Sequence, residues 1–226
     1  MIKFSQVSKK FGKIIALTDV SFEIEPGEFI FITGPSGAGK TTLLRLILKE
    51  IVPSEGKIEI DKQDLTGLSP KKIPELRRKI GVVFQDFKLL PDRTVFENAV
   101  LPLEVAGAGK KEIERRGEEI LKLVGLSDRT ELFPAQLAGG ELQRVCLARA
   151  IMAKPKILLA DEPTGNLDPT TSWQIVKLIK KINDLGTTVI MCTHNVDIVN
   201  SLRERVIRVD KGKVIKDQKE GKYETH

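Results

Sequence analysis

No run of about twenty apolar residues, the length a helix needs to span a bilayer, occurs anywhere in the sequence. Nor does Met1-Ile2-Lys3-Phe4-Ser5 begin a secretion signal, so a cytoplasmic protein is expected. Cysteine is scarce. Cys146 and Cys192 are far apart in apolar surroundings, which excludes a paired metal or redox motif and predicts two buried free thiols. Charge of one sign is never blocked: 37 basic residues are interspersed with 31 acidic ones, so the net charge of +6 does not make a nucleic-acid surface, and no nucleic-acid partner is expected. One Trp and one Tyr leave the core to Ile, Leu, Val and Phe. Internal repeats and low-complexity segments are absent. What is there, 226 residues with 41% hydrophobic, suffices for one sizeable domain with a real core.

Strand signals open the chain, first over residues 2–7 and then in a run ending at "SFEIEPGEFIFIT", with Pro26-Gly27 as a turn. "GKIEID" and "KIGVVFQ" read as further strands. From residue 86 to about 150 the pattern turns helical, with Ile113, Ile120, Leu121 and Val124 on one stripe. "KILLAD" and "TTVIMCTH" then read as buried strands flanking the helical "TTSWQIVKLIKKIND". Apolar strands alternating with helices predict an α/β fold with a mostly parallel sheet covered on both faces. Residues 216–226 are polar and read as a frayed tail.

The strongest chemical signal is "GPSGAGKTT", in which Gly34, Gly39, Lys40 and Thr41 satisfy the phosphate-loop pattern between an apolar strand and a helix. Consecutive N–H groups of Gly34, Pro35, Ser36, Gly37, Ala38, Gly39, Lys40, Thr41 and Thr42, proline excepted, are placed to wrap phosphate oxygens at a positive helix end. Lys40 would reach the β- and γ-phosphates, and the Thr41 hydroxyl would ligate Mg²⁺. "ILLADEP" carries Asp161 and Glu162 to a strand's carboxyl end, where open α/β sheets bind ligands. An acidic pair there is a solvated edge or a catalytic pair; beside a phosphate loop, Asp161 reads as the Mg²⁺-side carboxylate and Glu162 as the group that polarises the attacking water.

With these motifs in place, "QLAGGELQR" becomes interpretable, because it resembles the LSGGQ signature of ATP-binding cassette (ABC) ATPases. Gln85 in "VVFQD" looks like that family's Q-loop glutamine, Asp168 in "NLD" like its D-loop, and His194 in "MCTHN" like its switch histidine; Phe11 looks like its adenine-stacking aromatic. The resemblance spans about residues 2–215. It implies an N-terminal antiparallel β subdomain, a nucleotide-binding core over residues 1–85 and 151–215, and an inserted helical subdomain over 86–150. It also implies ATP and Mg²⁺ as cofactors, with Gln85 completing the metal set of Thr41 and Asp161. Lys40, Glu162 and His194 become the catalytic residues. The signature, Ala138, Gly139, Gly140 and Glu141, would bind the γ-phosphate held by a second copy, so a head-to-tail homodimer around two MgATP is implied.

Within that family the segment from Phe84 to Gly107 is most similar to the FtsE-type cell-division ATPases, which lie in a subgroup with lipoprotein-release and macrolide-export ATPases. That likeness implies an integral membrane partner of the FtsX type, coupling to cell-wall hydrolysis, and a location on the inner face of the membrane. Phe87, Leu89, Leu90 and Pro91 form either the partner's docking floor or part of the subdomain core. Only 51 residues separate Gln85 from Leu137, too few for the long coiled coil of chromosome-maintenance relatives. One cassette argues against translation-type factors, and Glu162 against a scaffold that binds ATP with negligible turnover. An export ATPase remains the alternative.

Overall fold

Successive residues of Phe29–Thr33 enter different cores. Phe29 and Phe31 pack with the helices, whereas Ile30 and Ile32 pack beneath the N-terminal strands. The two-residue period of a strand imposes this split on any continuously apolar strand covered on both faces. It recurs where Leu158 and Ala160 oppose Ile157 and Leu159, and where Val189 and Met191 oppose Ile190 and Cys192. The structure, a computed structural model, describes residues 1–221.

The chain begins with β1 (Ile2–Phe11), β2 (Ile14–Ile24), β3 (Phe29–Thr33), α1 (Lys40–Ile47), β4 (Glu55–Ile60) and β5 (Gln63–Asp64). Next come α2 (Ile73–Arg78), β6 (Ile80–Val83), α3 (Val95–Ala106), α4 (Lys110–Leu123) and α5 (Gly139–Ile151). The last part holds β7 (Ile157–Asp161), α6 (Pro169–Asp184), β8 (Thr188–Cys192), α7 (Val196–Leu202), β9 (Arg205–Asp210) and β10 (Lys213–Gln218). An antiparallel sheet of order β2-β1-β4-β5 covers one face of a six-stranded sheet of order β10-β9-β3-β8-β7-β6. The latter is parallel throughout except for β10.

The helical segment 86–150 joins the sheet in one continuous core, where Val95, Leu121, Val145 and Leu147 pack with Phe31, Leu158 and Met191. One expectation needs correction. The polar tail is not frayed at its start: Lys216, Asp217 and Gln218 pair with Arg208, Ile207 and Val206 of β9, and Arg205 forks onto both Asp217 carboxylate oxygens at 2.9 and 2.8 Å. Pairing and a charged fork hold an edge strand that has no apolar period to announce it. Residues 222–226 lie outside the described residues.

Candidate active site

Because β3, β8, β7 and β6 are parallel neighbours, the residues that come after them emerge along one edge in that order. The phosphate loop comes after β3, His194 after β8, and Gln85 after β6, while Asp161 and Glu162 end β7. Four motifs far apart in sequence thus meet in one cleft of about 650 Å³, lined in part by Ser36, Lys40, Thr41, Gln85, Asp161, Glu162 and His194.

At the loop, Lys40 Nζ donates to the carbonyls of Gly34 at 2.8 Å and Pro35 at 3.1 Å. No side chain caps α1 and no acid sits in its first turn, so its N-terminal N–H groups and positive dipole end are left for an anion. The loop is hemmed in from behind. A Cβ at Gly34 would lie 2.0 Å from the Val209 carbonyl oxygen, and its φ is 148°, so only glycine fits. Ala38 departs from the expected cradle: its side chain is buried in the core and its N–H donates to Pro35 O at 3.2 Å.

Across the cleft the Thr41 hydroxyl donates to Asp161 Oδ2 at 3.1 Å. Burial holds the Asp161 carboxyl above its ordinary value, and the Thr41 hydrogen bond opposes that shift. Among the described residues no three His, Cys, Asp or Glu side chains are grouped for a metal ion. The Asp161 carboxylate, the Thr41 hydroxyl and the Gln85 amide line one cleft and are hard oxygen donors of the kind that suits Mg²⁺ beside nucleotide oxygens. Thr41, Gln85 and Asp161 thus fit that ion.

Glu162 is held in a left-handed conformation, φ 48°, with its N–H donating to Cys192 O at 3.0 Å. Non-glycine residues at positive φ concentrate at functional sites. Its carboxylate Oε1 lies 2.9 Å from His194 Nδ1, and the glutamate side chain is largely covered while the histidine is open to solvent.

Phe11, Asp168 and the four signature residues do not line this cleft. Phe11 is exposed under Lys9 Nζ, 4.9 Å from its ring centre, and is not on the cleft wall. Its hairpin neighbours Ile14, Ile15 and Ala16 are, and nothing in the sequence marked them beyond their nearness to Phe11. The carboxylate of Asp168 accepts from Thr171 N at 3.0 Å and caps its own helix α6. The signature residues Ala138 to Glu141 form the N-cap and first turn of α5 and do not line this cleft. Phe87 and Leu89 pack against the core, whereas Leu90 and Pro91 are exposed.

The chain matches the ABC transporter family over residues 17–165. It is 49% identical over 224 residues to the cell division ATP-binding protein FtsE of Bacillus subtilis, covering 99% of this chain and 98% of that protein. Against FtsE of Streptococcus pneumoniae D39 the identity is 48% over 224 residues, 99% of this chain and 97% of that one. Among solved structures it is similar to the dimeric post-hydrolysis state of the ATP-binding cassette MJ0796 bound to ADP and Pi. The TM-score there is 0.89 at 39% identity, covering 99% of this chain and 100% of that chain.

Proposed function

Because the chain belongs to the ABC transporter family and is an ATPase of that family, we propose that it serves bacterial cell division as the MgATP-driven subunit of a membrane complex. The observation that carries this role is the near half identity, over almost the full length of both chains, to proteins named FtsE.

The chemistry is that of the cleft. The open start of α1 and the Lys40 ammonium bind and orient the triphosphate, with lysine acting as a point charge. Bound Mg²⁺, held from Thr41, Asp161 and Gln85, would neutralise charge on the β- and γ-phosphate oxygens. Glu162 orients the attacking water and accepts its proton at a carboxylate oxygen. His194, bonded to Glu162 Oε1, fixes that carboxylate's direction. The Ala138–Glu141 end of α5, exposed at Ala138 and Gly139, closes over the γ-phosphate of a second copy, which excludes water and commits the nucleotide.

We assign the membrane partner, an FtsX-like subunit, to the surface of Leu90 and Pro91 and to the groove that Pro74, Leu101, Pro102 and Val105 line together with Arg77, Arg78 and Arg149. The chain then sits at the inner face of the membrane through that partner. Supporting this is exposure: Val105 is 70% and Leu90 39% accessible. The test is co-purification of the chain with a co-expressed FtsX-like membrane protein. Wild type is expected to be retained and Leu90→Glu lost, because a lone charge buried in an apolar contact is costly. Retention of Leu90→Glu at wild-type level would remove the docking assignment, and partnership with an export permease would replace the cell-division role.

A further inference from the structure

Phe87 and Lys88 are consecutive non-glycine residues in the left-handed region, with φ of 58° and 50°. Lys88 N–H donates to Asp86 O at 2.6 Å, closing a three-residue turn about Phe87. Turns of this hand are rare and strained, and they persist only where their surroundings over-determine them. Here the surroundings are two side chains of α5. Arg149 donates from Nη1 to Lys88 O at 2.7 Å and from Nη2 to Phe87 O at 2.8 Å. The Cys146 thiol donates to Phe87 O at 3.1 Å, and burial pushes its pKa up to about 12, so it remains S–H. Cys146 and Arg149 lie three residues apart, on one face of the helix.

The turn begins immediately after Gln85, which lines the nucleotide cleft with Thr41 and Asp161. Gln85 is tied on its other side as well, since Asn166 Nδ2 donates to its carbonyl at 3.4 Å. The same helix that clamps the turn starts at Gly139, about 15 Å away at 1.5 Å per residue. One rigid element therefore carries the segment offered to a second copy at one end and the clamp on the Gln85 segment at the other.

We propose that Arg149 is a positioning residue for ATP hydrolysis: its forked grip on the Phe87 and Lys88 carbonyls holds Gln85 in the cleft and transmits the position of the signature end of α5 to it. This rests on the chain's ATPase activity and not on the cell-division role. A planar guanidinium reaches two successive carbonyls at once; an ammonium is a single point donor and cannot reproduce the fork.

The experiment uses the full chain as Arg149→Lys and Arg149→Met, each alone and in a Gln85→Ala background. Arg149→Lys is expected to bind nucleotide in EDTA within twofold of wild type and to lower kcat at least about fivefold. In the Gln85→Ala background the same substitution should change kcat by less than twofold, because a residue acting through Gln85 has nothing left to position. Hydrogen exchange supplies a readout independent of turnover: amides of residues 84–91 should exchange at least about tenfold faster in Arg149→Lys, with the first turn of α5 unchanged. Unchanged exchange there, or an equal loss of kcat with and without Gln85, overturns the proposal. Absence of nucleotide binding by the wild-type chain would instead overturn the reading of the cleft, and the exchange result would still decide the clamp.

Discussion

A methyl group on Gly140 would lie 2.4 Å from Thr171 Cγ2, so the start of α5 is fitted against the first turn of α6. Gly140 does not have the positive φ that glycine alone tolerates. Its smallness is required by packing within the chain, in addition to any approach to a phosphate on a second copy. Overpacking of this kind costs about 1–3 kcal/mol. Gly140→Ala is expected to lower the stability of the isolated chain by that amount in urea unfolding. Thr171→Ser, which removes the offending methyl, should restore most of it. A Gly140→Ala chain as stable as wild type would mean that Thr171 turns aside freely.

The 2.9 Å pairing of Glu162 with His194 supports a second expectation. Glu162→Gln keeps the shape of the side chain but removes the base, and a positioned general base contributes about 10²–10⁴-fold. The variant should bind ATP normally, hydrolyse it at least about a hundredfold more slowly, and accumulate as an ATP-bound dimer in light scattering. Turnover within tenfold of wild type would take the base role from Glu162.

Much of this site was legible because its motifs are attached to strands that announce themselves. "FIFIT", "ILLAD" and "TVIMC" are apolar enough to be recognised as buried and parallel, and parallel strands deliver the loops at their carboxyl ends to one edge. The features that stayed hidden depend on contacts across long separations. Phe11 carries the expected aromatic, but Ile14 and Ile15 on the paired strand of the same hairpin line the cleft and Phe11 does not. β10 has no apolar alternation and exists by pairing with β9, helped by Arg205 bridging Glu28 and Asp217. The clamp of Arg149 on Phe87 joins residues 62 apart, and no local pattern in either segment signals it.

A pH dependence arises from Glu141. Its carboxylate accepts from Ala138 N at 2.9 Å and from Arg129 Nε at 3.2 Å. The backbone hydrogen bond from Ala138, and then Arg129, hold it below its ordinary value. A depressed folded-state pKa contributes stability that is present above the unfolded value of about 4.3 and is lost as pH falls through the folded value. Glu141→Gln keeps the acceptor for Ala138 and loses the charge. At pH 7 it should be less stable than wild type by under about 1 kcal/mol, since the Arg129 pair is partly exposed. The difference should close below about pH 4, approaching zero in acid unfolding curves. A constant gap across that range would show that the carboxylate's ionisation is not linked to folding.

Ala138 decides whether the signature needs a hydroxyl. It is the N-cap of α5 in extended conformation, φ −72° and ψ 159°, with no side-chain hydrogen bond. Only half of a capping box is therefore present: Glu141 reaches back to Ala138 N, but nothing at 138 reaches forward. Serine would complete the box, and a serine N-cap is worth about 0.5–2 kcal/mol over alanine. That gain belongs to the isolated chain and appears without nucleotide. A separate gain is expected in the ATP-bound dimer, where the serine proton can be donated to a γ-phosphate oxygen while its lone pairs accept the cap hydrogen bond. A hydrogen bond to a charged group contributes about 1.5–3 kcal/mol. Ala138→Ser should thus raise the unfolding midpoint of the nucleotide-free monomer and, in a Glu162→Gln background, tighten the dimer at least about tenfold. If the monomer is stabilised while dimer affinity is unchanged, position 138 caps its helix and does not touch the second copy's phosphate.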